Sequence, residues 1–261
     1  MKLCAIFIVW DDYEILRYAI ESISRQVEGI IVIASAESNK GEFSPIPEDF
    51  YENPYFDLFL KNPDLNKQPR ENETEKRNFG LQKAREMGYT HFIMMDADEF
   101  YEDFYEEKKR FDDPLLVGLV SNTVVYFRSP TLCFDDLTRV PFIHRLTIDL
   151  RFEKNYNYPF SVSDSYHPAI DPTRTMNITE GVQMSAVKMH HMSWIRRDIR
   201  KKIRNSAGQR INTFKEVIVN DYQNATEGYK IGIFSKQLRR VSNIFCLPEI
   251  NDISLLTVQH D

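Results

Sequence analysis

Three short, unbroken apolar runs, at residues 3–9, 30–33 and 92–95, constrain the fold of this chain more than any other feature. None alternates apolar with polar residues, so each reads as a strand buried on both faces, as in a helix-covered parallel sheet. Between the first two, Ile15, Leu16, Ala19, Ile20 and Ile23 share one face at helical spacing across residues 13–26. Asp11 or Asp12 supplies a cap for that helix, and Gly29 ends it. Strand, helix and strand make a β-α-β unit, and the class expected is α/β with a mostly parallel central sheet flanked by helices.

Residues 38–70 change character, with Pro45, Pro47, Pro54, Pro63 and Pro69 among acidic and aromatic residues. A connection of that length reads as an ordered excursion or lid. Helical spacing returns across 73–87 through Phe79, Leu81, Ala84 and Met87, and Gly88 closes it. Residues 115–127 read as two strands with a turn near Ser121-Asn122, and 187–192 as a short strand. Ser193 then caps a helix over 194–205. Its stripe of Ile195, Ile199 and Ile203 faces the core, and Arg196, Arg197, Arg200, Lys201, Lys202 and Arg204 cover the rest as a solvated basic face. No repeat, linker or low-complexity stretch divides the chain, so one domain is expected over 1–261.

The run at 92–95 stops on Asp96-Ala97-Asp98, followed by Glu99. Carboxylates at the end of a buried strand are costly unless something compensates them, and a divalent metal is the usual partner. In an extended segment residues i and i+2 point the same way, so Asp96 and Asp98 can face one ion. In open α/β sheets ligands sit outside the carboxyl ends of the strands, which here carry Trp10-Asp11-Asp12 and Asp96-Ala97-Asp98. A DxD triplet alone is common and also reads as a turn cap beside a solvated acid.

The order of the motifs narrows this. Strand, Trp10-Asp11-Asp12, helix, strand, then Lys76-Arg77-Asn78-Phe79-Gly80-Leu81 leading into Asp96-Ala97-Asp98-Glu99 resembles the family 2-type glycosyltransferases of the GT-A, Rossmann-like fold. The resemblance covers roughly residues 1–130. It implies a nucleotide-sugar-binding half over 1–130 and an acceptor-binding half with C-terminal helices over 131–261. It further implies a UDP- or GDP-sugar donor, a Mn²⁺ or Mg²⁺ ion, and transfer of a hexosyl or related sugar, with inversion, to an acceptor hydroxyl of a glycan or glycoconjugate. Carried onto this chain, Trp10, Asp11, Asp12, Arg77 and Asp96 would contact the nucleotide-sugar, and Asp96, Asp98 and His191 would hold the metal. His190 is the alternative histidine, since neighbours in a strand point to opposite faces. The acceptor proton would go to a carboxylate in the second half. Asp135, Asp136, Glu153, Asp164 and Glu180 are candidates, and Asp164, in a polar loop after aromatics, is preferred. The chain departs from the pattern after its second strand, where Ala34-Ser35-Ala36 replaces the usual base-binding aspartate and Glu37 is the nearest carboxylate.

Composition excludes other classes. A net charge of -6 argues against a general nucleic-acid binder. Peripheral membrane contact through the basic helix is not indicated. The apolar start ends at Asp11-Asp12, too soon for a signal peptide or a membrane span. Cys4, Cys133 and Cys246 are scattered and read as reduced thiols of a soluble, cytoplasmic protein. A sugar-phosphate nucleotidyltransferase needs a glycine-rich phosphate loop after the first strand, and Trp10-Asp11-Asp12-Tyr13 has no glycine. A non-catalytic carbohydrate-binding protein on the same fold is the remaining alternative.

Overall fold

The first apolar run forms β1 (Leu3–Val9), and all but one of its residues are buried. The computed structural model describes residues 1–162, 173–196, 198–206, 211, 213–232 and 234–248. Helix α1 (Tyr13–Ile23) starts where the Asp12 carbonyl accepts the amides of Ile15 and Leu16, and the Asp12 side chain makes no cap hydrogen bond. Its buried face is the predicted stripe with Tyr13 added. β2 (Gly29–Ala34) then lies parallel to β1, with Ile6 opposite Ile31 and Val9 opposite Ala34. The β-α-β expectation holds.

The 38–70 excursion conceals a strand. β3 (Asp57–Leu60) pairs parallel with β2, Ala34 opposite Leu60, at the outer edge of the sheet. Only four residues long and half-exposed, it carries too little periodicity to stand out among prolines.

Helix α2 (Pro69–Glu86) begins four residues earlier than its apolar spacing indicates. Pro69 occupies the first turn, where a missing N–H costs nothing, and the Glu71 carboxylate accepts the Gln68 amide. Gly88, at φ 73°, supplies the left-handed residue that ends it. At Gly80 the helix presses on the sheet: a Cβ there would sit 2.6 Å from Cγ2 of Ile6.

β4 (His91–Asp96) runs parallel to β1, placing Ile8 opposite Asp96. A turn at Ala97-Asp98 leads into the short β5 (Glu99–Tyr101), followed by α3 (Tyr105–Lys109). β6 (Gly118–Phe127) is one continuous strand rather than two, because Ser121 and Thr123 are buried within it and no turn forms at Asn122. β7 (Leu132–Arg145) is antiparallel to β4. β8 (Val182–Met184) runs parallel beside β6.

The described chain divides into two compact units: residues 1–123 with 136–189, and residues 124–135 with those from 190 onward. In the first unit the strand order is β3-β2-β1-β4-β7-β6, with the four strands β3 to β4 parallel. The molecule is therefore α/β, with a mostly parallel central sheet flanked by helices. Its core joins Ile6, Ile31, Ile33, Leu81, Phe92 and Met94 to Phe152, Tyr158 and Met176.

The second unit is built on aromatic contacts, with Phe127 packing on Trp194 at 5.9 Å and on Tyr222 at 5.7 Å. It contains β9 (Met189–Trp194) from His190 on, α4 (Ile199–Asn205) and the helix Lys215–Asn224. The strand extends through Ser193 and Trp194, so Ser193 is no cap. Asp198 takes that role, accepting the Lys201 amide at 2.8 Å. No described helix is long and apolar enough to cross a membrane.

Candidate active site

The registers bring the carboxyl ends of β1 to β4 to one edge of the sheet. Trp10-Asp11-Asp12 leaves β1, Ser35-Ala36-Glu37 leaves β2, Lys61 leaves β3 and Ala97-Asp98 leaves β4. This is where parallel α/β sheets hold ligands. The first of these loops is held in an uncommon shape. Asp11 has φ 64°, a left-handed conformation that an aspartate tolerates better than most residues, and its carboxylate accepts the Ser44 hydroxyl. The 38–47 stretch is thereby tied to the end of β1. Trp10 is half-buried beside it.

At the end of β4 the acid pair does not stay extended. Asp96 is the last residue of the strand and half-buried, while Asp98 lies in the turn and is 2% exposed. Two arginines converge on Asp96. Arg77 of α2 donates through Nη2 to Oδ1 at 2.8 Å, and Arg174 donates through Nη2 to Oδ2 at 2.5 Å. Arg77 also bridges to Glu73 at 2.9 Å, and Arg174 to Glu99 at 2.7 Å. Glu99 accepts the Asp96 amide at 3.0 Å as well, closing the turn.

Arg77 is fully buried, and its Nε and Nη1 have no hydrogen-bond partner. Burial is the largest single influence and would lower its pKa, but the charges of Asp96, Glu73 and Glu99 together outweigh it and hold the guanidinium above the ordinary value. Arg174 behaves likewise, with burial opposed by Asp96 and Glu99, so both guanidiniums stay charged.

The neighbour of Arg77 explains how Arg174 arrives. Asn78 mimics a strand residue: its Oδ1 accepts the Phe152 amide at 2.7 Å and its Nδ2 donates to the Phe152 carbonyl at 3.0 Å. Phe152 forms a β-bridge with Met176, and the Thr175 hydroxyl donates to the Glu153 carbonyl. The 173–176 stretch is thus pinned to 152–153 through the two residues that follow Arg174. Arg77 and Asn78, adjacent in sequence, fix the two sides of one charged cluster.

A metal fits this cluster only in part. Both oxygens of Asp96 are engaged by guanidiniums, so Asp96 does not stand ready as a ligand. Among the described residues no three His, Cys, Asp or Glu side chains gather in a metal-holding group. His191 belongs to the second unit, on β9. Its neighbour His190 is buried there, with Nδ1 3.0 Å from the Tyr126 hydroxyl and its ring against Phe245.

Of the acids considered for proton transfer, Asp164 lies outside the described residues. Glu153 pairs with Arg151 and Asp135 with Arg239, both exposed, and Asp136 accepts the Thr138 hydroxyl. Glu180 is exposed.

Sequence reasoning missed Glu73, Glu99 and Arg174 as members of the cluster. Glu73 could have been found, one turn before Arg77 on the same helix face. Arg174 carries no local signal, since it reaches Asp96 across 78 residues.

No protein-family model matches the chain, and no curated protein matches it. Solved structures similar to it include that of residues 1–349 of S. aureus TarS, at 13% identity and TM-score 0.41, over 86% of this chain and 71% of that one. Another is the TarS structure covering 86% of this chain and 43% of that chain, at 13% identity and TM-score 0.40. The same TarS fragment with UDP-GlcNAc aligns at 14% identity and TM-score 0.37, over 86% of this chain and 72% of that one. Likeness of that degree carries no functional assignment.

Proposed function

We propose that the chain is a glycosyltransferase of the GT-A type, moving a sugar from a nucleotide-diphosphate donor to an acceptor hydroxyl. One observation carries the reading: Arg77, on the helix before β4, is bound to Asp96 at the carboxyl end of that strand. Two motifs, recognised separately by their order in the chain, meet at the sheet edge where an α/β ligand belongs.

Within this reading Trp10, Asp11 and Asp12 line the nucleotide at the end of β1, with the Asp11–Ser44 contact holding that loop in shape. Asp96 orients the Arg77 and Arg174 guanidiniums beside the donor. Asp98 is the residue assigned to a Mn²⁺ or Mg²⁺ ion, which when bound supplies charge neutralisation for the leaving diphosphate. In the transfer the acceptor oxygen forms a bond to the anomeric carbon as the bond to the diphosphate oxygen breaks. A single displacement of this kind inverts that carbon. The acceptor proton passes to a carboxylate, for which Asp164 remains the candidate.

Titration calorimetry with a panel of UDP- and GDP-sugars, with and without Mn²⁺, tests the reading. Binding that is metal-linked in the parent and loses that linkage in Asp98→Ala is expected. No binding of any donor, with or without metal, would overturn it.

A further inference from the structure

The net charge of -6 conceals a segregation. The first unit holds 20 Lys and Arg against 31 Asp and Glu, and the second holds 13 against 8, so the second is basic within an acidic chain. Several of its acids are already engaged. Asp135 and Glu227 pair with Arg239 and Arg240, each at 3.3 Å. Asp221 is buried, accepting the Tyr229 hydroxyl at 3.0 Å and the Gly232 amide at 2.8 Å, and Asp198 caps α4. Helix α4 then concentrates the excess positive charge, with Arg200, Lys201, Lys202 and Arg204 in seven residues.

The helix Lys215–Asn224 packs beside α4, with Arg200 Nη1 3.9 Å from Glu216 Oε2. Its later part is anchored: Ile218 and Val219 are buried, and the Tyr222 hydroxyl donates to the Arg196 carbonyl at 2.9 Å. Its start projects outward. Phe214 is 41% and Val217 is 42% exposed, on either side of the exposed Lys215 and Glu216. On α4, Ile199 and Ile203 take the buried side, while Arg200 and Arg204, one turn apart, are exposed together. Like charges at that spacing destabilise a helix, so this pair does not serve the stability of α4. The exposed pair of Arg200 and Glu216 is of the kind that contributes little. One surface is therefore strongly basic and locally apolar.

We propose that this face of the second unit docks on an anionic lipid bilayer. Arg200, Arg204 and Lys215 meet the negative headgroups, and Phe214 and Val217 enter the boundary between headgroups and acyl chains. A soluble polyanion would satisfy the cations and leave both apolar side chains in water, which favours the lipid surface. The acidic first unit is repelled by the same surface and does not compete for it. The proposal goes beyond the glycosyltransferase reading and stands independently of it.

The test is co-sedimentation of the full chain with vesicles of phosphatidylcholine alone and with about 30% phosphatidylglycerol added, at ~50 and ~500 mM salt. The chain is expected to bind the anionic vesicles, to lose at least ~10-fold in affinity at the higher salt, and to ignore the neutral ones. Arg200→Gln and Lys215→Gln should each weaken binding about 5-fold. Phe214→Ser should weaken vesicle binding at both salts and leave binding to soluble polyphosphate unchanged. Lys109→Gln, which removes an exposed cation of the first unit, should change nothing. Melting temperatures should match the parent, since every substituted side chain is exposed, and three separate variants still report if one is destabilised. No binding to anionic vesicles, equal binding to neutral ones, or an equal loss in Lys109→Gln would overturn the proposal. Polyphosphate binding as tight as vesicle binding, with both indifferent to Phe214→Ser, would overturn it in favour of a soluble polyanion.

Discussion

Asp96 illustrates how a residue's neighbours set its job. A carboxylate at a strand end invites a metal, yet here each oxygen holds a guanidinium, and one of those belongs to a fully buried arginine. Removing one partner of a buried ion pair leaves an uncompensated charge, so Asp96→Ala should cost about 3–5 kcal/mol. Arg174→Gln should cost a similar amount, because it takes from the fully buried Glu99 the guanidinium that bridges to it at 2.7 Å. Urea unfolding at neutral pH checks both; a loss below about 1 kcal/mol in either variant would show that its ion pairs do not hold the cluster together. Lys76 makes the complementary case. Burial holds its folded-state pKa, about 8, below the ordinary 10.5, so above pH 8 the unfolded chain holds a proton that the folded chain releases. Stability contributed by this group therefore rises with pH between those values, by about 3 kcal/mol in total. Denaturation midpoints at pH 7.5 and 9.5 should differ more in the parent than in Lys76→Met.

Among the elements, α2 has the greatest bearing on the site. It brings Glu73, Lys76, Arg77 and Asn78 to one end of the sheet, and Gly80 lets it approach β1. A methyl at Gly80 would meet Ile6 inside normal contact distance and displace the helix or the strand. Gly80→Ala is expected to cost about 1–3 kcal/mol, the usual penalty for overpacking. It should also weaken nucleotide binding, since Arg77 sits less than one turn away. Unchanged affinity in a destabilised Gly80→Ala would show that the site tolerates a shift of α2. The elements that were legible in sequence are those with long apolar signals: β1, α1, β2, α2 and β4. β3 was hidden because four half-exposed residues among prolines carry no period. β6 reads in sequence as two strands because Ser121-Asn122 looks like a turn, and the burial of Ser121 and Thr123 is not visible in a linear string.

At the scale of the whole molecule, the buried His91 and His144 of the first unit both contribute to the response to acid. His144 is fully buried with Nε2 3.0 Å from the Tyr158 hydroxyl, and burial pushes its pKa down to about 3. Burial first, then the Arg145 charge and the N-terminus, push His91 down to about 4. Both are neutral when folded and take up a proton when unfolded, so their contribution to stability is complete above about 6.5 and lost as pH falls toward those values. The expected loss is roughly 3 kcal/mol per histidine by pH 4. A melting-temperature profile from pH 7 to 4 should flatten in His144→Gln, and an unchanged slope would place the acid sensitivity elsewhere.

The sequence by itself determined the parallel strands, the helix between the first two, and the placing of Asp96-Ala97-Asp98 at a strand end. Those features are written in local apolar patterning, which a chain must carry wherever it buries a strand on both faces. Only the tertiary structure decided what the acids do. Arg174 reaches Asp96 from 78 residues away. The same arginine bridges to Glu99 at 2.7 Å, while Arg77 comes to Asp96 from α2, 19 residues earlier. Charge–charge proximity of that kind depends on which strands pair and how closely a helix lies on them, and no residue signals it alone.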